Sequence, residues 1–474
     1  MAQAKTSFLT KLTYGFGAVA YGVKNNGFDY FLLIFYSQIL GVDPGLVGLA
    51  LLIALVFDAF SDPIVGYLSD HTRGPMGRRH PWMYAAAIPV AIGYYFLWSP
   101  PASISGNDLF LYLVGISIFV RLLITFYEVP SSALAAEISR DYDERTSLMA
   151  WRNFFGWVAG TLIAAYTLVV ILAPSETNPA GLFNRSGFQT YGLIASILIL
   201  VSILTASLGT QHLVPTLPKA AEKTQKTLGS IFSDVIETLK FRSFFSVFLA
   251  TILAAIATGL SMSLNLYLNT YFWGLTSDQL SVIILSVLAG ALLALMLAPL
   301  LSRTWGKKKA SIICATLILF LSPVLISLRL AGVLPENGDP VLFPILVGVA
   351  IVEMTLTITV QILMMSMIAD LVEQSELKTG RRSEGVFFAT ITFTRKATQG
   401  LGVWAASLVL VFANFPTGAS PDEVSADSVT ALANLYVPAI LVLWILKVVA
   451  IAMYRIDRRK HETNLAQIEA AGTN

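Results

Sequence analysis

Residues 57–82 read FDAFSDPIVGYLSDHTRGPMGRRHPW and directly follow the apolar run LVGLALLIALV at 46–56. Two carboxylates, Asp58 and Asp62, therefore lie inside a segment whose composition otherwise predicts a membrane-spanning helix. An ionisable group inside such a helix costs roughly 2.5–3.5 kcal/mol or more. Because such groups usually pair with one another or line a wet cavity, the two acids indicate a functional site.

The composition of the chain is that of a polytopic membrane protein. Of its 474 residues, 55% are hydrophobic and only 13% are charged, whereas a soluble chain is about 25% charged. The mean hydropathy is +0.71. A net charge of +2 gives no argument for a nucleic-acid partner, and the single Cys314 excludes an intramolecular disulfide or a multi-cysteine metal site.

Apolar stretches of about 20 residues are long enough to cross a bilayer, and their number predicts an all-α protein of twelve transmembrane helices. Proline- and glycine-rich loops separate these stretches. The predicted spans are 13–40, 46–69, 82–99, 109–138, 147–173, 189–210, 243–272, 279–301, 309–331, 341–371, 384–413 and 429–455.

Lysine and arginine are concentrated in alternate loops, which predicts that both termini are cytoplasmic. The loops on the opposite side hold Arg185 and little else. The first apolar run is too long for a signal-peptide core, so we expect it to be retained as the first helix. The predicted location is the inner (plasma) membrane of a bacterium.

The longest cytoplasmic connection divides six predicted helices from six. A weak internal repeat supports this division, because an acid, a polar loop and an arginine join helices 4 and 5 and again helices 10 and 11. Repeated halves are typical of transporters that work by alternating access. The predicted organisation is an N-terminal half at 1–210, a linker at 211–242, a C-terminal half at 243–456 and a tail at 457–474.

Asp58 and Asp62 are four residues apart and share one face of their predicted helix, about 6 Å apart along its axis. Two carboxylates so close repel, unless one holds a proton or a cation such as Na⁺ lies between them. The alternative is that each acid pairs with a basic residue on a neighbouring helix.

Glu128 and Thr125 lie one turn apart, close to Pro130, and with the two aspartates they could form an oxygen-lined cation site. The alternative is a proline kink with a salt bridge from Glu128 to Arg121 or Lys396. Lys396 and Arg121 are the predicted charge partners of the site, and Lys396 could instead bind an anionic substrate.

Further polar and aromatic residues in the predicted helices are candidates for substrate binding, with helix-to-helix packing as the alternative. These candidates are Lys24, Asn25, Asn26, Asp29, Tyr127, Trp151, Arg152 and Asn153. Charged residues in the cytoplasmic loops are candidates for a gate of ion pairs, although they could simply set the topology. The gate candidates are Asp70, Arg73, Arg78, Arg79, Arg145 and Arg382.

The sequence resembles the glycoside–pentoside–hexuronide:cation symporter family of the major facilitator superfamily. The resemblance is carried by YG-x-G-A at 14–18, GLVG at 45–48, DAFSDPIVG at 58–66, GR-x-x-PW at 77–82 and VP-x-x-AL at 129–134. It implies the twelve-helix fold of that superfamily.

In that family the positions of Asp58, Asp62, Glu128 and Thr125 are implicated in binding Na⁺, Li⁺ or H⁺, and a lysine at the position of Lys396 lies near that site. Galactoside-binding positions of the family do not match, because they fall at Gly22, Ser132 and Asn153. The sodium-dependent lysophosphatidylcholine transporters share the paired acids and the helix-11 lysine, so a lysophospholipid or another charged solute is the alternative substrate.

The sequence thus predicts a monomeric secondary transporter that couples a monovalent cation, Na⁺ or H⁺, to a glycoside-like solute and needs no cofactor. A membrane sensor that no longer transports is the alternative from a different class. An enzyme is not expected, because the sequence shows no Ser-His-Asp or metal-ligand set.

Overall fold

A computed structural model describes residues 6–139, 141–174, 181–217, 242–379, 384–419 and 423–454. In those residues the chain is helical with short connections and contains no strand. The gate candidate Arg382 and the predicted tail 457–474 lie outside the described residues. Most of the linker 211–242 does so too, and the exact boundaries of the two halves stay a prediction.

Twelve helices follow one another along the described chain, one for each predicted span. Helix α1 starts as Phe8–Phe16 and Val19–Asn26 and continues through wide π-helical turns at Gly27–Phe31 and Phe35–Ile39. The others are α2 Pro44–His71, α3 His80–Trp98, α4 Asn107–Ile138, α5 Tyr142–Tyr166 with Thr167–Ile171, α6 Arg185–Gln211, α7 Arg242–Tyr267 with Leu268–Phe272, α8 Ser277–Trp305, α9 Lys307–Leu330, α10 Leu342–Thr379, α11 Glu384–Phe412 and α12 Ala426–Ala452.

Nine stretches of the described chain are helical, long and apolar enough to cross a bilayer, among them Pro44–His71 and Asn107–Ile138. Their starts follow ordinary capping chemistry. The Asp43 side chain accepts the backbone N–H of Leu46 at 3.2 Å, and Pro44 occupies the first turn of α2. Asp141 caps α5 in the same way through the N–H of Glu144 at 2.9 Å. The nine apolar helical stretches identify the chain as an integral membrane protein.

Contacts group the described residues into two compact units. The first contains the described part of Met1–Thr224 together with Met262–Leu285 and Val403–Ser425. In it α2 packs on α4, α3 on α4 and α6, and α1 on α5 and α6. The second contains the described part of Gln225–Ser261, Ser286–Gly402 and Ala426–Asn474. There α9 packs on both α10 and α12.

The final turns of α1 are held by the chain that follows α11, within the first unit. The Gln38 side-chain amide donates to the carbonyl of Pro416 at 3.1 Å, and its oxygen accepts the N–H of Ala419 at 3.3 Å. The Ser37 hydroxyl bonds the phenol of Tyr267 on α7. These hydrogen bonds join residues more than 200 positions apart, which no local sequence pattern predicts.

Helices α1 and α5 approach each other through glycine. A Cβ placed on Gly22 would lie 2.0 Å from the carbonyl oxygen of Gly156, and one on Gly160 would lie 2.7 Å from the carbonyl oxygen of Gly22. Small residues at such a crossing allow two backbones to pack directly.

We expect Gly22→Ala to lower the free energy of unfolding by about 1–3 kcal/mol, because the added methyl group overlaps backbone atoms that cannot rotate away. Gly115→Ala is the matched control, since Gly115 is a helical glycine of α4 with no atom within 4 Å of an added Cβ. Thermal unfolding of both purified variants in detergent measures the difference. Equal melting temperatures would contradict the proposed close packing.

Candidate functional site

The two predicted acids meet at one hydroxyl group. The Thr125 Oγ1 on α4 lies 3.0 Å from Oδ1 of Asp58 and 3.1 Å from Oδ1 of Asp62, both on α2. Asp58 is buried, with 2% of its surface exposed, and Asp62 is half-buried. A threonine hydroxyl has one proton, so it donates to only one of these carboxylates at a time. We call Asp58 and Asp62 the acid pair.

Arg121, one turn before Thr125 on α4, forms an ion pair with the acid pair. Its Nη1 lies 3.3 Å from Oδ2 of Asp58, and its guanidinium lies over the ring of Phe28 at 4.4 Å from the centroid. Both charged side chains are almost fully buried. The geometry therefore joins α2, α4 and α1 around a buried Asp58, which pairs with Arg121 and shares the Thr125 hydroxyl with Asp62.

The predicted role of Glu128 as a third carboxylate of the cation site stays a prediction. Among the described residues, no group of three or more His, Cys, Asp or Glu side chains could hold a metal ion. The charge of Glu128 acts on Tyr21 of α1 and Arg152 of α5. Three residues along a helix turn the side chain by about 60° from Thr125, which is enough to direct it to a different neighbour.

Arg152 is one of three predicted substrate contacts that are buried, with Tyr127 and Lys24. Its guanidinium donates to the Ser131 hydroxyl at 2.9 Å and to the Glu128 carbonyl at 3.4 Å, and lies over the ring of Tyr21. Tyr127 is fully buried, and its phenol oxygen would lie 1.9 Å from a Cβ on Gly17. These contacts place both residues in the packing between α1, α4 and α5.

The remaining substrate candidates are scattered along α1 and α5. On α1, Lys24 is buried, Asp29 and Asn26 are half-buried and Asn25 is exposed, and the Asn26 amide donates to the carbonyl of Gly22 at 3.0 Å. On α5, Trp151 packs against the rings of Phe8 and Phe155. Asn153 is exposed in an open cleft that Arg145 also lines. The structure thus does not gather all eight candidates into one site.

Four charged residues near the α2–α3 connection and the end of α4 form a network around Arg79, in which Arg79 and Glu137 are buried and Asp70 is partly exposed. The Arg79 guanidinium pairs with Asp70, donates to Glu137 Oε1 at 2.8 Å and donates to the Ser69 hydroxyl at 2.6 Å. Arg78 shares the same Glu137 oxygen at 2.9 Å. We call Asp70, Arg78, Arg79 and Glu137 the Arg79 network. Glu137, 58 residues from Arg79 in sequence, was not among the predicted gate residues.

The other gate candidates lie apart from this network. Arg73 and Arg145 are exposed, and neither makes an ion pair with the described part of the chain. A separate ion pair in the first unit joins Lys11 of α1 to Glu144 of α5 at 2.8 Å. In the second unit, Lys307 at the start of α9 lies 2.5 Å from Asp370 of α10. Ion pairs thus link neighbouring helices in both units.

Lys396 lies on α11 in the second unit and is half-buried. Its predicted role as a charge partner of the acid pair stays a prediction.

A family model described as MFS/sugar transport protein matches residues 13–458. An uncharacterized symporter of Synechocystis sp. is 32% identical over 217 residues, which is 45% of this chain but only 39% of that protein. A protein of Escherichia coli K12, provisionally named a glycoside/cation symporter, is 26% identical over 91% of this chain and 88% of its own.

Two other comparisons extend over nearly the whole chain. The sodium-dependent lysophosphatidylcholine symporter 1 of Gallus gallus is 25% identical over 98% of this chain and 89% of its own. A solved structure of a bacterial homologue of the iron transporter ferroportin aligns with a TM-score of 0.63 over 94% of this chain and 100% of that one. At 13% identity, that alignment shows a shared fold only.

Proposed function

This chain belongs to the MFS/sugar transport protein family, and we propose that it is a symporter in which the acid pair binds the coupling cation, Na⁺ or H⁺. The observation that carries the proposal is the meeting of two carboxylates at the Thr125 hydroxyl. Two ionised carboxylates at this separation repel, and a proton or a cation between them removes the repulsion. Arg121 stabilises Asp58 as a carboxylate.

The proposed solute is a glycoside-like molecule, supported by the family and by relatives named as symporters of glycosides. The second candidate is a lysophospholipid or another charged solute, supported by the relative that transports lysophosphatidylcholine. The proposed orientation places both termini and the Arg79 network on the cytoplasmic side of a bacterial inner membrane.

The cation and the solute each stabilise the state that binds both, and this coupling is a reciprocal free energy. Cation binding brings α2 and α4 together at the acid pair. The solute then binds a neighbouring site that is already ordered. Neither ligand alone permits the exchange between the two access states, which prevents a leak of the cation.

The function is tested by thermal unfolding of the purified protein with sugars, sugar acids and lysophospholipids, each with and without Na⁺. We expect one solute class to raise the melting temperature more in the presence of Na⁺ than in its absence. Counterflow of that solute in reconstituted vesicles then distinguishes a transporter from a sensor. Solute binding without counterflow would refute transport.

Thr125→Val is expected to weaken cation binding about tenfold, equivalent to about 1.4 kcal/mol, because it removes the hydrogen bond shared by two charged groups. Thr125→Ser keeps the hydroxyl and should bind the cation nearly as well as the native protein. The melting temperature of each variant, measured over a range of Na⁺ concentrations, gives its affinity for Na⁺. Equal affinities in the valine and serine variants would contradict a role for this hydroxyl.

A further inference from the structure

The connection between α8 and α9 holds positive charge that the chain itself does not neutralise. Helix α8 ends at Trp305 and α9 begins at Lys307, so a single residue, Gly306, joins them with a φ of +76°. Four cationic residues lie within three positions of this glycine, namely Arg303, Lys307, Lys308 and Lys309. Asp370 of α10 pairs with Lys307. The other three cations make no ion pair with the described part of the chain.

The α2–α3 connection is the counterpart in the first predicted half, because it too joins a second helix to a third. Its charges are arranged differently. Arg78 and Arg79 both bond Glu137, and Arg79 also pairs with Asp70. Arg73 is the arginine of that connection that makes no ion pair with the described residues. The α8–α9 connection therefore leaves three cations for an anion from outside the chain, where the α2–α3 connection leaves one.

An exposed apolar stripe leads away from the basic groups on each of the two helices. On α8, Leu292 and Met296 are 67% and 76% exposed, and helical geometry puts both on the face of Arg303, which is exposed as well. On α9, Phe320 is 67% exposed and lies three turns after the exposed Lys309, on the same face. Three turns rise about 16 Å, which is about half of a hydrocarbon core of about 30 Å. Each stripe thus has the depth of one lipid leaflet.

The chemistry of this surface fits a phospholipid with a net negative charge. Trp305 is 46% exposed at the end of α8, and indole rings favour the level of the headgroups. A guanidinium binds a phosphate through two parallel hydrogen bonds, and lysines bind it as point charges. A small soluble anion would use these cations but leave the apolar stripes unused, whereas a lipid uses both. A zwitterionic headgroup brings its own cation and gains less.

We propose that Arg303, Trp305, Lys308 and Lys309, here called the Arg303 patch, bind the headgroup of an anionic phospholipid whose acyl chains lie along the stripes of α8 and α9. The headgroup supplies the negative charge that the described part of the chain does not. Each lysine or arginine beside an anionic lipid surface strengthens binding about fivefold. If these charges only set the orientation of the chain, the purified protein would bind anionic and zwitterionic lipids alike.

The test is native mass spectrometry of the purified protein, which measures the affinity for the first lipid bound. It compares phosphatidylglycerol with phosphatidylcholine of identical acyl chains. We expect the native protein to prefer phosphatidylglycerol. The double variant Arg303→Gln with Lys309→Gln should bind phosphatidylglycerol about 25-fold more weakly and phosphatidylcholine as before. Arg73→Gln with Arg145→Gln is the matched control, because it also removes two exposed cations, and it should keep the preference.

Further arms identify the source of the anion and the role of charge. Glycerol phosphate has the phosphate of the headgroup but no acyl chains, and we expect it to bind far more weakly than the lipid. The charge-conserving variant Arg303→Lys with Lys309→Arg should bind phosphatidylglycerol nearly as well as the native protein. Glycerol phosphate binding as tightly as the lipid, a native protein without a lipid preference, or equal losses in the two glutamine variants would each overturn the proposal.

None of these measurements depends on transport. Asp58→Asn should leave the preference for phosphatidylglycerol unchanged, because Asp58 lies on α2 in the other compact unit. Failure of the acid pair as a cation site would therefore not affect this result, and failure of the Arg303 patch as a lipid site would leave the cation site standing.

Discussion

Replacing Asp58 with asparagine is expected to abolish the stabilisation of the purified protein by Na⁺ and to remove cation-driven uptake of the solute. The substitution keeps the size of the side chain but removes a charge that sits at the Thr125 hydroxyl with Asp62. A ligand at 100 times its dissociation constant stabilises a protein by about 2.7 kcal/mol, and we expect most of that gain to disappear. If H⁺ is the coupling ion, uptake driven by a pH gradient is the measurement that is lost.

The variant also leaves Arg121 buried beside a neutral group, so a loss of folding stability must be separated from a loss of cation binding. Breaking a buried ion pair from one side costs about 3–5 kcal/mol. The double variant Asp58→Asn with Arg121→Met removes both charges and should recover much of this stability without recovering the Na⁺ response. Asp43→Asn is the surface control, because asparagine also caps a helix and Asp43 lies at the start of α2.

Na⁺-stimulated uptake that persists in Asp58→Asn would refute the acid pair as the cation site. A double variant that is stable and still responds to Na⁺ would refute it as well. A double variant that is stable and unresponsive is the outcome that supports it.

The fold follows from the sequence because membrane helices require long apolar runs, and twelve such runs are visible without any structure. What the runs do not show is the shape of each helix. Helix α1 starts at Phe8, five residues before the predicted start, because the Ser7 hydroxyl accepts the N–H of Thr10 at 3.1 Å and caps a polar first turn. Its two π-helical stretches leave no signal in composition.

The site is predictable where it depends on one helix and not where it depends on several. The spacing of Asp58 and Asp62 places them on one face, and the structure has them meet at one hydroxyl. Spacing cannot say which way Glu128 turns, since that depends on how α4 packs between α1 and α5. For the same reason no pattern links Glu137 to Arg79, which come together only when the end of α4 packs beside the α2–α3 connection.

Glu137→Gln is expected to lower the free energy of unfolding by about 3 kcal/mol or more. One oxygen of Glu137 bonds both Arg78 and Arg79, and the Arg79 and Glu137 side chains are each only 6% exposed. Removing this charge leaves two guanidinium groups with Asp70 as the remaining acid of the Arg79 network, in a site where burial makes an unbalanced charge costly. Thermal unfolding in detergent gives the size of the loss.

Arg73→Gln is the matched control, because Arg73 belongs to the same connection but is exposed and should change stability by no more than about 0.5 kcal/mol. A double-mutant cycle of Glu137→Gln with Arg79→Gln then isolates the interaction between the two side chains. We expect the two losses to be strongly non-additive, since each variant breaks the same buried pair. Additive losses would mean that α4 and the α2–α3 connection are held together by apolar packing, and that the ion pairs found there contribute little to this end of the first unit.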